Sequence, residues 1–219
     1  IGGVRRVASF AEKMVPLMAV VYILGSLTII FSNYDMILPA FKEIIVGAFD
    51  PSAATGGIIG ASLKEAIRYG VARGLFSNEA GMGSTPHAHA LAQVKHPCEQ
   101  GLVAYVGLFF DTFIVLNMTA LAILTTGVLD GKSTGIVLTQ AAFTAGLGDI
   151  GPGFVAICLF FFAFTTIVGW YFFGEQNVKY LLGLRWVQSY RVLVLCFLML
   201  GSFLHVTLVW ELSDFFNGI

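Results

Sequence analysis

The amino-acid sequence predicts an all-α, polytopic membrane protein, and three observations carry that expectation. Hydrophobic residues make up 57% of the 219 positions and charged residues only 11%, where a soluble domain carries about 25% charge. So little charge cannot cover a water-facing surface of this size, and the mean hydropathy of +0.84 agrees. Residues 14–31, 101–126, 154–173 and 190–210 are each apolar enough, and close enough to the roughly 20 residues required, to span a bilayer as a helix. Gly (25) and Phe (20) are heavily used, as suits helices that approach closely and face lipid.

Composition also excludes functions. Twelve basic against thirteen acidic residues leave no nucleic-acid footprint. Cys98, Cys158 and Cys196 are odd in number and far apart, so neither a disulfide framework nor a zinc spacing emerges. His87, His89, His96 and Cys98 supply no four-ligand set, because helical residues two apart point to different faces. Ile1 opens the chain without a Met or a signal-peptide pattern, and both ends read as interior to a longer protein. Residues 1–219 are expected to form one transmembrane domain from which N-terminal helices and the C-terminal end are missing.

The elements follow in order. Arg5, Arg6 and Lys13 precede the first span and place its start in the cytoplasm. Lys95 before the second span, and Lys179, Arg185 and Arg191 between the third and fourth, mark further cytoplasmic ends. The first span therefore ends outside and the second starts inside, so residues 32–100 must cross an odd number of times, most simply once. Lys64, Arg68 and Arg73 lie on or near that crossing and blur the count. No ordinary apolar helix exists there. Instead a helical stretch at 61–76 leads into Ser77-Asn78-Glu79-Ala80-Gly81-Met82-Gly83, and Ser84 or Thr85 caps a new helix with Pro86 in its first turn, continued by residues 87–94. Helices broken at membrane depth occur where freed backbone groups line a buried site or a watery cavity, and in secondary transporters they hold substrate and ions. Ile37–Phe49 reads as an amphipathic helix on the outer surface. Within the outer connection 127–153, residues 135–145 read as a helix between glycines: a structured loop, or less favourably a lid.

The run from Gly74 to Pro86, Gly74-Leu75-Phe76-Ser77-Asn78-Glu79-Ala80-Gly81-Met82-Gly83-Ser84-Thr85-Pro86, resembles the alanine or glycine:cation symporter family. So do Phe162-Ala163-Phe164-Thr165-Thr166-Ile167-Val168-Gly169-Trp170-Tyr171-Phe172-Phe173-Gly174-Glu175, the group His96-Pro97 with Gln100-Gly101-Leu102, and Asp111-Thr112. The resemblance covers nearly the whole chain. It implies a leucine-transporter-type inverted-repeat fold, of which this chain would hold helices five to nine. It also implies sodium-coupled symport of a small neutral amino acid, alanine or glycine, in the plasma membrane. Sodium is the coupling ion, with H+ as an alternative, membrane lipid is the surrounding partner, and no cofactor is implied.

Candidate site residues divide into two groups. Ser77, Asn78, Gly81 and Met82 belong to the unwound segment, where half-helix N-termini favour a carboxylate and bare carbonyls favour a cation. An ionised Glu79 inside a membrane is costly, by at least about 2.5 kcal/mol. It therefore faces a cation or cavity, or caps the second half-helix by accepting from backbone N–H groups. Thr165 and Thr166 offer hydroxyls to a hard cation; the bland alternative is a bond to their own preceding turn. The resemblance places them on helix eight, beside one sodium site. Trp170, at i+4 from Thr166, reads as a wall limiting substrate size, or as an interfacial belt residue. Asp111 is a cation or gating candidate that could pair with Arg or Lys on another helix. Glu175 and Gln176 read as a helix-end cap or a cytoplasmic gate. An intramembrane enzyme using His87 or His89 with Ser77 or Ser84, another ion-coupled solute transporter, and a passive channel are the competing readings.

Overall fold

A tight hairpin at Gly148–Gly151 and a π-helical bulge at Phe110–Leu116 shape the described residues. The computed structural model describes residues 4–49, 63–79, 82–130 and 132–217, and all their regular structure is helical. The helices are α1 (Val4–Ser32), α2 (Ile37–Phe49), α3 (Leu63–Asn78), α4 (Thr85–His89), α5 (Pro97–Phe109), α6 (Asn117–Thr126), α7 (Ile136–Leu147), α8 (Gly151–Leu181), α9 (Val187–Phe203) and α10 (Val206–Asn217). A π-helical segment, Phe110–Leu116, joins α5 to α6.

Among the described residues, four helical runs are long and apolar enough to cross a membrane: Glu12–Ser32, Pro97–Thr126, Ile136–Leu181 and Leu184–Phe203. The third would stretch about 69 Å if straight, more than twice a ~30 Å hydrocarbon core. It is folded in two. Gly148 takes φ 64°, a short 3-10 turn (Gly148–Ile150) follows, and the chain doubles back. At Gly151 the return is so tight that a Cβ would lie 2.3 Å from the Phe143 carbonyl oxygen.

The helix expected at 135–145 is present as Ile136–Leu147, but the hairpin packs it into the core, which corrects the picture of it as part of a structured loop or a lid. Ala142 and Phe143 on α7 are wholly buried. Phe143 stacks on Phe154 of α8, with centroids 5.4 Å apart, and on Tyr22 of α1 at 5.6 Å. Tyr22 meets Phe162 edge-on at 5.5 Å, and its hydroxyl shares a 2.6 Å hydrogen bond with Thr119 of α6. Tyr22, Ile29, Ala122, Phe143, Val155 and Cys158 thus form one core uniting α1, α6, α7 and α8. Ile30, Ala40 and Leu121 form a second, which seats the amphipathic α2 against α1 and α6.

The expected fourth span, 190–210, is also corrected. Helix α9 stops at Phe203, Leu204 is extended (φ −84°, ψ 150°), and α10 starts afresh at Val206. The expected helix at 61–76 corresponds to α3, with residues 61 and 62 outside the described residues. The second half-helix is shorter than expected: it ends at His89, not Val94. Pro97 opens α5 and drives His96 into extended geometry (φ −141°, ψ 138°). Residues 92–96 are spent reaching that start.

Candidate functional site

Helical continuity is lost after Asn78. Glu79 adopts φ 53° and is the non-glycine residue with positive φ among those described, a conformation that L side chains adopt rarely. Ala80 and Gly81 lie outside the described residues, so the expectation for Gly81 falls there. Met82 is half-buried and its N–H donates to the Glu79 carbonyl at 3.3 Å. Gly83 sits at φ 74°, and a Cβ there would meet nothing within 4 Å. Backbone curvature, rather than crowding, is what requires glycine at that position.

The hydroxyls after the break turn back toward it. Ser84 donates to Glu79 Oε2 at 2.5 Å and Thr85 to the same oxygen at 3.3 Å. Ser84 occupies the N-cap of α4, yet its side chain makes no capping bond. The expected capping hydroxyl is engaged by the carboxylate instead, and these two bonds to Glu79 come from side-chain hydroxyls rather than from the backbone N–H groups anticipated.

The residues before the break are tied to the π-helical segment. Ser77 donates to Asp111 Oδ2 at 2.6 Å, and Thr112 donates to Asn78 Oδ1 at 2.8 Å. A π turn inserts one extra residue into a helix and re-aims its side chains. Asn117 supports the bulge: its Nδ2 donates to the carbonyls of Thr112 (2.9 Å) and Phe113 (3.2 Å). Asp111 thus meets a serine hydroxyl, where the sequence suggested an Arg or Lys. Thr112 was missed as a site residue. The signal was present, in a polar Asp-Thr pair followed five residues later by Asn within an apolar span.

The second candidate group lies apart. Thr165 donates to the carbonyls of Phe161 (2.9 Å) and Phe162 (3.1 Å), with Met18 Sδ of α1 at 3.9 Å. Thr166 is exposed on α8 and Trp170 is half-buried. Among the described residues no hydrogen bond joins Thr165, Thr166 or Trp170 to Ser77, Asn78 or Glu79. The two groups approach through aromatic contacts: Trp170 meets Phe173 edge-on at 5.9 Å, and Phe173 lies 6.0 Å from the His87 ring of α4. His87 Nε2 lies 3.0 Å from Asn177 Oδ1, also on α8.

Other polar residues find separate partners. His87 Nδ1 faces the Ser84 carbonyl at 3.0 Å, not its hydroxyl, and His89 Nδ1 lies 2.7 Å from Gln100 Oε1. The Ser–His pair of the enzyme reading therefore does not form at these atoms. His96 caps α5 by accepting from the Cys98 N–H at 3.2 Å. Glu175 is no helix-end cap. It sits six residues inside α8, pairs with Lys179 at 2.5 Å and accepts from the Tyr171 hydroxyl. That hydroxyl also accepts from Arg191 Nε of α9 at 3.2 Å, which fastens α8 to α9.

A cavity of about 200 Å3 opens in the packed half, lined by Tyr22, Thr119, Thr139, Cys158 and Phe162 among others. It contains none of the expected site residues.

Comparison with known proteins matches this sequence to a family. The profile of the sodium:alanine symporter family covers residues 1–219. An uncharacterized transporter of Haemophilus influenzae is 45% identical over all of this chain and 48% of its own length. The amino-acid carrier protein AlsT of Bacillus subtilis is 39% identical over all of this chain and 46% of its own. The sodium/alanine symporter AgcS of Methanococcus maripaludis is 40% identical over all of this chain and 48% of its own. The chain spans about half the length of these curated relatives. The long apolar helices and the family match make it part of a multi-pass integral protein of the plasma membrane. With a family profile matched from the first residue to the last, the chain belongs to the sodium:alanine symporter family.

Proposed function

We propose that this chain is the part of a sodium-coupled symporter that carries a small neutral amino acid, alanine or glycine, by alternating access. The single observation behind this reading is the loss of helix at Glu79, flanked by Ser77 and Asn78 that are already held by Asp111 and Thr112. Bare peptide dipoles at such a break can hold a carboxylate and a cation together. Ser77, Asn78, Gly81 and Met82 then contact the amino acid, with Thr166 and Trp170 of α8 closing its other side. Glu79, Asp111, Thr165 and Thr166 are the cation or gating groups. Sodium is the coupling ion and H+ the alternative. The printed names of AgcS and AlsT, a sodium/alanine symporter and an amino-acid carrier, support the substrate class.

In this reading residues 1–219 belong to one transmembrane domain of leucine-transporter type. Helix α1 is its helix five, α3 with α4 its broken helix six, α5 to α6 helix seven, α8 helix eight and α9 helix nine. The break at Leu204 sets α10 off as the start of a tenth. Each sodium entering down a 100 mV potential contributes about 2.3 kcal/mol, before its concentration gradient is added.

The test is uptake of labelled alanine and glycine by the full reading frame reconstituted in liposomes, with and without a sodium gradient. Asn78→Ala and Thr166→Ala are expected to weaken sodium-driven uptake while leaving membrane insertion intact. Unchanged sodium dependence in both variants would overturn the site assignment, and gradient-independent hydrolysis of a lipid or peptide would overturn transport itself.

A further inference from the structure

Arg73 lies on α3 five residues before Asn78, about 7.5 Å along the axis at 1.5 Å per residue. Its guanidinium makes two bonds to the Asp214 carboxylate of α10, Nη1 to Oδ1 at 2.8 Å and Nη2 to Oδ2 at 3.2 Å. The same guanidinium lies 3.8 Å from the centroid of the Trp210 ring. Phe76, three residues further along α3, meets that ring edge-on at 5.6 Å and 72°.

The spacing gives this contact its significance. Trp210 and Asp214 stand four apart and share a face of α10. Arg73, Phe76 and Ser77 stand at i, i+3 and i+4 and share a face of α3. That face carries α10 at Arg73 and Phe76, and carries the π-helical segment at Ser77 through Asp111. One helical turn therefore links α10 to the polar contacts at the break. Helix α10 is set off from α9 by extended Leu204, so it can move without bending α9. An Arg paired bidentately to carboxylate and stacked on an aromatic ring is geometrically specific, and Lys cannot replace it in kind.

We propose that Arg73, Trp210 and Asp214 form a latch by which α10 positions the Ser77–Glu79 break during the transport step. The latch rests on the transport reading above, and its residues are positioning residues that need not touch the carried solute. Its signature is a loss of maximal rate with little change in apparent affinity, and mutual dependence of the two charged partners.

The experiment uses the full reading frame in liposomes, with sodium-driven alanine uptake normalised to inserted protein. Arg73→Leu and Asp214→Leu are each expected to lower Vmax about tenfold, the double variant to lose no more than either single, and KM to move less than about threefold. Asp214→Glu, which keeps the carboxylate, is expected to retain most of the rate. Losses that multiply in the double variant, or single variants that transport normally, would overturn the latch. A second readout needs no transport. In a background with Cys98, Cys158, Cys196 and any other native cysteines replaced, Met82→Cys is alkylated by a maleimide in membranes. Arg73→Leu is expected to speed that labelling severalfold. If labelling responds while the unaltered protein shows no sodium-driven uptake, the transport reading falls, and with it the latch's role in transport, while the hold of α10 on the break stands. Unchanged labelling overturns the latch.

Discussion

The two sides of this molecule are held together by different forces. Where α1, α6, α7 and α8 meet, Ile29, Ala122, Ala142 and Phe143 are wholly buried and three aromatic rings stack in sequence. Across α3, α4, α5 and the π-helical segment, none of the residues whose side chains are described is wholly buried; Ser84, just before α4, comes nearest at 5% exposed. Cohesion there comes from side-chain pairs: Ser77 with Asp111, Asn78 with Thr112, His89 with Gln100, Arg73 with Asp214. Membrane helices associate through close van der Waals packing and interhelical hydrogen bonds, since lipid removes the hydrophobic drive between them. The first side relies on packing and is suited to be a rigid frame. The second relies on discrete polar contacts, which can be exchanged for an ion, a solute or another rotamer, and moving parts come from such weakly packed regions.

The largest effect is expected in the frame. Phe143→Ala removes a ring stacked between Tyr22 and Phe154 and should destabilise the protein by about 3–5 kcal/mol, read as a fall in unfolding temperature of the purified full-length protein. Phe160→Ala, at a ring 64% exposed, should change stability by less than about 0.5 kcal/mol. Equal effects from the two would break the contrast between frame and surface. Gly151→Ala places a Cβ against the Phe143 carbonyl and should cost about 1–3 kcal/mol by overpacking, in the same assay.

An intermediate effect is expected at the bulge. Asn117→Leu removes the amide that binds the Thr112 and Phe113 carbonyls and should cost about 1 kcal/mol. Under the proposed function, its effect on uptake is expected to exceed its effect on stability. Closing the π turn to α-helical register would rotate Asp111 and Thr112 away from Ser77 and Asn78. Uptake should fall while the unfolding temperature moves by only a few degrees. A variant that loses both in proportion would show that the bulge belongs to the frame.

The same contrast explains what could be read from the sequence. Apolar runs betray the spanning helices, because lipid selects composition over long windows. The break near Asn78 was legible because glycines, serines and Pro86 cluster where a spanning helix was needed. The π turn was not, because α and π segments use the same residue types; Asp111 and Asn117 looked like mere interruptions. The stop at Leu204 was hidden because apolar residues continue on both sides of it. The early end of α4 depended on Pro97, eight residues beyond His89. Pairings across elements, such as Arg73 with Asp214 or His87 with Asn177, leave no local pattern at all. Helix-period reasoning sees neighbours within about four residues, whereas these pairs are joined by the fold.

The smallest effect lies in a loop within the packed side, between α6 and α7. Asp130, in the loop after α6, accepts from the backbone N–H of Ser133 at 2.7 Å, from that of Lys132 at 2.9 Å and from the Ser133 hydroxyl at 2.7 Å. These bonds, the Ser133 backbone bond foremost, hold its carboxyl down to about 2, from 3.8. A carboxylate with a depressed pKa in the folded state stabilises above its unfolded value and stops doing so as pH falls through the folded one. The turn should therefore hold unchanged from neutral pH down to about 4 and release as pH approaches about 2. Hydrogen exchange at the Ser133 amide, after correction for its intrinsic pH dependence, is expected to stay flat over the first interval and accelerate in the second. Asp130→Ala should exchange fast at every pH while leaving uptake and unfolding temperature where they were. Release beginning near neutral pH would mean that this loop shares the exchangeable character of the polar side, instead of serving as a fixed tether between α6 and the packed hairpin.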